Sequence, residues 1–197
     1  MRLIGLCGRS GSGKSCFADI AKANGIKVID CDAVYKEMVS KPSPCLSDIE
    51  KEFGSEVIND NALNRKKLAE IVFSDPEKLS LLNSVTHKHI KNEIGNILNS
   101  FDENDIVLLD APTLFESGID SVCELIIGIV ATDDACIARI TARDNITEAQ
   151  AKARLANQYS AEFIVENCDM IIYNDSNYSE YKQACERVVS SLKEERP

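Results

Sequence analysis

No apolar run in this sequence approaches the roughly 18 residues that span a bilayer, so a membrane protein is excluded and a soluble one is expected. The start, Met1-Arg2-Leu3-Ile4-Gly5-Leu6-Cys7-Gly8, has too short an apolar stretch for a secretory leader and runs straight into a motif that needs a strand before it. The expected location is therefore cytoplasmic. No Cys-x-x-Cys pair occurs among the eight cysteines, and no Cys/His cluster has zinc spacing. Free thiols in a reducing compartment are expected instead of a disulfide framework or a zinc module. Basic residues are scarce, 22 against 32 acidic, for a net charge of −10. That balance repels a phosphate backbone and disfavours nucleic acid as a partner. An anionic ligand must then be held by local positive groups. Histidine is scarcer still, and His87 and His89 stand two apart on an expected helix, where they do not share a face. There are no repeats, and the one low-complexity feature is the charged tail Lys193 to Pro197, expected to fray.

What is present is alternation. Arg2 to Cys7, Lys27 to Ile29, Ile106 to Ala111, Leu125 to Ala131 and Met170 to Tyr173 read as buried strands. Ser15 to Asn24, Ala33 to Ser40, Ala135 to Arg143 and Tyr178 to Lys193 read as helices between them. This order predicts an α/β fold, a doubly wound parallel five-stranded sheet covered on both faces. At 197 residues it is one domain, with a nucleotide-binding core at about 1–41 and 105–197. From about 42 to 104 the alternation breaks into helical periodicity without a convincing strand, too long for a bare loop, and predicts a helical insertion. A polar, helix-forming stretch at about 144–167 suggests a lid.

Gly8-Arg9-Ser10-Gly11-Ser12-Gly13-Lys14-Ser15 fits G-x-x-x-x-G-K-[ST] between a predicted strand and a predicted helix. Glycines let successive N–H groups turn inward, and the helix N-terminus adds its positive end, which makes an anion site. Gly11, Ser12, Gly13, Lys14, Ser15 and Cys16 are the expected phosphate-binding segment. Lys14 reaches the β- and γ-phosphates and the Ser15 hydroxyl ligates Mg²⁺. Cys16 shares this electropositive turn, although an inert buried thiol is the simpler reading.

The loop implies ATP with Mg²⁺; the acceptor must be sought elsewhere. Asp30-Cys31-Asp32 closes the second strand, where carboxylates can face a hydroxyl in line with the γ-phosphate or cap the next helix. Asp110 ends an apolar strand at the position that holds Mg²⁺ directly or through water in P-loop enzymes. Arg139, Arg143 and Arg154 fall where a lid would close over the triphosphate, and arginine's planar fork suits phosphate oxygens; a solvated helix face is the rival reading.

Together these residues resemble the dephospho-coenzyme A kinase family. That family carries such a loop, then a strand ending Asp-x-Asp, similar here to Val28-Ile29-Asp30-Cys31-Asp32. The resemblance continues through Phe53-Gly54, Asp60 to Leu68 with Arg65, Val72-Phe73 with Asp75-Pro76, and His87 before Ile90. It resumes at Asp110, Pro112, Leu114, Phe115 and Glu116, at Arg139, Arg143, Asp144, Ala151, Arg154 and Gln158, and at Asp169, Ile172 and Asn174. It covers nearly the whole chain. It implies transfer of the ATP γ-phosphate to the 3′-hydroxyl of dephospho-coenzyme A, the last step of coenzyme A synthesis. It also implies Asp32 as base, Arg143 as a catalytic arginine, Asn174 at the nucleotide, and Arg65, His87, Leu114, Phe115 and Glu116 at the acceptor, with the insertion holding the pantetheine arm. The chain departs from the family's usual pattern at Arg9-Ser10, Lys88 and Thr113, where Gly-Ile, Pro and Leu are usual. A nucleoside-monophosphate-type kinase would share the loop and arginines but has no reason to repeat the insertion's signatures. A nucleotide switch of the G-protein kind would show Asn-Lys-x-Asp, which is absent from this sequence. The oligomeric state is not legible.

Overall fold

The computed structural model describes residues 1–72, 75–175 and 177–194; Phe73 of the Val-Phe-x-Asp-Pro signature and residues 195–197 of the tail lie outside them. In chain order the elements are β1 (Arg2–Gly8), α1 (Lys14–Ala23), β2 (Lys27–Asp30), α2 (Cys31–Met38), α3 (Pro44–Phe53), β3 (Ile58–Asn59), β4 (Ala62–Leu63), α4 (Arg65–Val72) and α5 (Pro76–Leu98). They continue with β5 (Ile106–Asp110), β6 (Leu125–Val130), α6 (Asp133–Asp144), α7 (Glu148–Ala156), α8 (Ala161–Asn167), β7 (Met170–Tyr173) and α9 (Tyr178–Glu194). The chain divides into two compact units, one from Met1 to Ile29 and from Asp102 onward, the other Asp30–Phe101.

In the first unit five strands lie in the order β2-β5-β1-β6-β7. β1 pairs in parallel with both β5 and β6, and β6 with β7. Parallel neighbours require crossovers, and the helices between strands supply them. Continuous apolar runs such as Ile106–Leu109 follow, because such a strand is buried on both faces. Ile4, Leu6, Leu108, Ile127 and Ile129 meet Phe17 and Ile20 of α1 and Tyr181, Val189 and Leu192 of α9 in one core. Fully burying each such side chain stabilises the fold by roughly 1.5–3 kcal/mol. The register sets Asp110 beside Leu6, two residues before the strand ends at Gly8, so the β5 carboxylate stands close to the start of the glycine-rich loop.

The second unit has its own core, built from Val39, Cys45, Leu46, Ile49, Phe53, Val57, Leu68 and Val72. It begins at Asp30, earlier than the insertion expected from residue 42, because α2 packs with α5. Asp30 is the reason α2 also starts two residues early: its carboxylate accepts from the Ala33 amide at 3.0 Å and caps the helix. The unit is not wholly helical as expected. β3 and β4 form a hairpin, Ile58 opposite Leu63 and Asn59 opposite Ala62. Its turn residues Asp60 and Asn61 have φ of 49° and 61°, the left-handed pair that a tight hairpin demands and that Asp and Asn tolerate. Two-residue strands carry no periodicity, so only the turn could have announced them. Among the described residues no helix is long and apolar enough to cross a membrane.

Candidate active site

The loop between β1 and α1 is held from its carbonyl side. Arg139 Nη1 donates to Gly11 O at 3.1 Å, Asn174 Nδ2 to Ser12 O at 2.7 Å, and the Tyr181 hydroxyl to Gly13 O at 2.9 Å. Arg139 is itself fixed by donating to Asn174 O at 2.9 Å. When three consecutive carbonyls are claimed by α6, the end of β7 and α9, the peptide planes have no freedom to turn over. No side chain caps α1, whose N-cap is Gly13, and no acid lies in its first turn. In the first turn of α1 the Cys16 amide donates to Gly13 O at 3.1 Å, while a helix start has no intrahelical acceptor for the Lys14 and Ser15 amides, and the positive helix end is left for an external anion. Lys14 Nζ donates to Gly8 O at 2.8 Å, tying the two ends of the loop together. Ser12 Oγ is buried without a hydrogen-bond partner among the described residues. A buried hydroxyl left so calls for a partner, and phosphate oxygens would supply it.

Glycine at position 13 is obligatory for two reasons. Its φ is 115°, and a Cβ there would lie 2.4 Å from Asn174 Nδ2 and 3.0 Å from the Tyr181 hydroxyl, the two groups that brace the loop. Gly13→Ala is expected to cost roughly 1–3 kcal/mol of stability, read as a Tm lowered by several degrees, and to weaken ATP binding in a titration. An unchanged Tm with unchanged ATP affinity would contradict the bracing.

Ser15 is exposed at the second position of α1 and Asp110 stands at the end of β5. Among the described residues no group of three His, Cys, Asp or Glu side chains is placed to hold a metal. Cys16 points to the flank of α1, its Sγ 3.9 Å from the Tyr178 hydroxyl. Arg9 and Ser10, the departures from the family loop, are tied to the far helices. Arg9 pairs with Asp133, and Ser10 N donates to Gln158 Oε1 at 2.9 Å while Gln158 Nε2 donates back to Ser10 Oγ at 3.2 Å. The Arg9 charge is thus committed to Asp133.

The three arginines expected together are used differently. Arg139 acts on the loop's carbonyls. Arg143 donates through Nε and Nη2 to both carboxylate oxygens of Asp144, at 2.7 and 3.0 Å, and Arg154 also pairs with Asp144. The paired guanidinia hold the Asp144 carboxyl well below its ordinary value of 3.8. A depressed carboxylate stabilises the fold where it is ionised, and loses that contribution as pH falls below 3.8 toward its folded value. Asp144→Asn should therefore lower Tm at neutral pH, with the difference from wild type closing in strong acid. A gap that widens in acid would refute the pairing.

A narrow cleft in the same unit is walled by Cys7, Gly8, Arg9, Pro112, Phe115, Glu116, Gln158, Tyr159 and Ile164. Phe115 stands edge-on to Phe163 at 5.3 Å between centroids, and Tyr159 stacks on Phe163 at 3.9 Å. Leu114 is fully buried and points into the core instead. Phe115 is expected at the acceptor, but its aromatic partners Tyr159 and Phe163, the Tyr181 hydroxyl at the loop and the bonds of Gln158 to Ser10 are not legible in the sequence. An aromatic on an amphipathic helix reads as core, and only the structure reveals that the Tyr181 hydroxyl reaches the loop.

In the second unit Asp32 is exposed in the first turn of α2, while Asp30 is spent on the cap. Arg65 is exposed at the start of α4. His87 is half-buried on α5, and burial, with Lys91 adding to it, pushes its imidazole below the ordinary value. His89 instead bonds Asp48 Oδ2 at 2.7 Å. A cavity of about 450 Å³ between α2, α3 and α5 is walled in part by Lys41, Lys88, His89 and Glu93, and includes neither Arg65 nor His87.

A sequence profile described as dephospho-CoA kinase matches residues 2–180. The chain belongs to the dephospho-CoA kinase family. It is 32% identical to the dephospho-CoA kinase of Lactobacillus acidophilus over 98% of both chains, and 34% identical to that of Oryza sativa subsp. japonica over 98% of this chain and 86% of the relative. A solved dephospho-CoA kinase from Campylobacter jejuni superposes with a TM-score of 0.73 at 28% identity, covering 98% of each chain. The family's activity, ATP-dependent phosphorylation of dephospho-CoA to complete coenzyme A, is this chain's activity, and the five-stranded P-loop kinase fold is the architecture observed.

Proposed function

We propose that the braced loop Gly8–Ser15 holds the ATP phosphates, that Lys14 neutralises charge developing on the transferred phosphoryl group, and that Asp32 orients and deprotonates the 3′-hydroxyl of dephospho-CoA. The observation that carries this reading is the capture of three consecutive loop carbonyls by Arg139, Asn174 and Tyr181. A loop so fixed presents its amides without reorganising when phosphate charge grows, which is where binding energy becomes rate. Asn174 and Arg139 then serve the nucleotide through the loop. Ser15 and Asp110 fit Mg²⁺ as a hard cation that keeps most of its shell from water and phosphate oxygens, so a protein cage is not needed; bound there, it would neutralise phosphate charge. Arg65, His87, Phe115 and Glu116 are the acceptor contacts by family resemblance, and 144–167 the lid. The proposed place of action is the cytoplasm.

Arg143 is exposed apart from its hold on Asp144, so its guanidinium can be drawn to phosphate oxygens. Arg143→Ala should raise the KM for ATP and lower kcat, leaving the KM for dephospho-CoA nearly as it was. Unchanged values of all three would remove Arg143 from the site.

A further inference from the structure

Among the eight cysteines, two are in contact. Cys7 is buried in β1 immediately before its last residue, Gly8, and Cys168 follows α8; their sulfurs are 3.2 Å apart. Their encounter depends on a glycine. Cys7 stands in register with Gly128 of β6, and a Cβ on Gly128 would lie 3.0 Å from Cys168 Sγ. Neighbouring strands are about 4.8 Å apart, so the bare backbone at Gly128 is the opening across which a side chain entering from beyond β6 reaches one on β1.

We propose that Cys7 and Cys168 are a redox-responsive pair that forms a reversible disulfide and slows the kinase. A disulfide requires about 2.05 Å between sulfurs, roughly 1 Å closer than they stand. The two thiols are unequal. Cys168 is partly exposed and Cys7 buried. The hydrogen bond between the two sulfurs favours the thiolate at Cys168, and that bond together with burial keeps Cys7 protonated. Cys168 is thus the attacking sulfur and Cys7 the resolving one. With a hydroperoxide as oxidant, the Cys168 thiolate takes the distal oxygen to become a sulfenic acid, and the peroxide's other oxygen leaves as water or alcohol. Cys7 then attacks the Cys168 sulfur, gives up its proton, and the sulfenic oxygen leaves as water. Two thiols are oxidised by two electrons and one peroxide is reduced.

Closure bears on the active loop because Cys168 cannot yield freely. Asp169, next to it, is fastened to β6 through its amide to Ile126 O at 3.0 Å and through its carboxylate, which accepts from Ile126 N at 2.7 Å. The movement is then taken up at the end of β1, where Gly8 O holds the Lys14 ammonium, and in α8, whose Phe163 stacks on Tyr159. A displacement on the order of 1 Å at catalytic groups can lower a rate about a hundredfold.

The test uses the full chain, reduced, dialysed and titrated with hydrogen peroxide. At each point free thiols are alkylated, peptides are mapped by mass spectrometry, and kinase turnover is measured. The proposal expects a Cys7–Cys168 linked peptide as the first oxidation product, kcat falling about tenfold to a hundredfold in step with the linked fraction, and recovery on adding dithiothreitol. Cys168→Ser, which lies outside the proposed catalytic and lid residues, should retain activity over the same peroxide range. Mapping reads the link whatever the acceptor, so it stands apart from the substrate assignment. Peptides in which both cysteines stay alkylatable while others oxidise would overturn the proposal. So would Cys168 passing to sulfinic acid unlinked, or a complete link with undiminished turnover.

Discussion

Lys14→Ala should abolish useful turnover, lowering kcat on the order of 10²–10³-fold or more, while the protein remains folded. The ammonium makes one bond to Gly8 O, and a hydrogen bond made by a charged group contributes about 1.5–3 kcal/mol to stability. The loop does not depend on it, because Arg139, Asn174 and Tyr181 brace the carbonyls independently. What the lysine contributes grows along the reaction, as charge spreads over the transferring phosphoryl oxygens. Circular dichroism and a thermal melt should show a native protein with Tm lowered by roughly 3–12 °C. A folded variant with near wild-type kcat would remove Lys14, and with it the proposed role of the loop.

Asp32→Asn is expected to lower kcat on the order of 10²–10⁴-fold with ATP affinity nearly preserved. A ribose hydroxyl is a weak nucleophile at neutral pH, and the amide keeps the carboxylate's shape while losing its basicity. The structure supplies the matched control. Asp30 accepts from Ala33 N and caps α2, so Asp30→Ala should cost about 1 kcal/mol of stability and lower Tm by roughly 2–4 °C, with a much smaller change in kcat. The two acids are separated by one residue and differ in employment, so the pair distinguishes chemistry from folding within one motif. An Asp32→Asn enzyme within tenfold of wild type would contradict the base assignment.

The legible parts of this chain are those where one periodicity or one motif decides. Ile106–Leu109 is a strand because four apolar residues in a row suit a sheet buried on both faces, and Gly8–Ser15 could be placed from the sequence because its spacing demands a strand before and a helix after. The hairpin at Ile58–Leu63 escaped because two residues of strand carry no pattern. The start of the second unit at Asp30 escaped because α2 looks, in sequence, like one more crossover helix, and its packing with α5 is a long-range fact. The arginines show the same limit at the site. Arg139, Arg143 and Arg154 look equivalent on a helical repeat, yet the first fastens the loop's back and the other two share Asp144. Which way a guanidinium turns depends on partners far along the chain, Gly11 and Asn174 for Arg139, that spacing does not encode.

One assay tests the transfer to dephospho-CoA most directly. Purified protein is incubated with ATP, Mg²⁺ and a panel of hydroxyl acceptors that includes dephospho-CoA, shikimate, gluconate and nucleoside monophosphates, and the products are resolved by mass spectrometry with fragmentation to locate the phosphate. The expected products are ADP and coenzyme A carrying the new phosphate on the ribose 3′-oxygen, formed from dephospho-CoA in strong preference to every other acceptor and not formed when Mg²⁺ is chelated. Phosphorylation of another acceptor in preference to dephospho-CoA, or no transfer to dephospho-CoA by folded wild-type protein, would contradict that expectation.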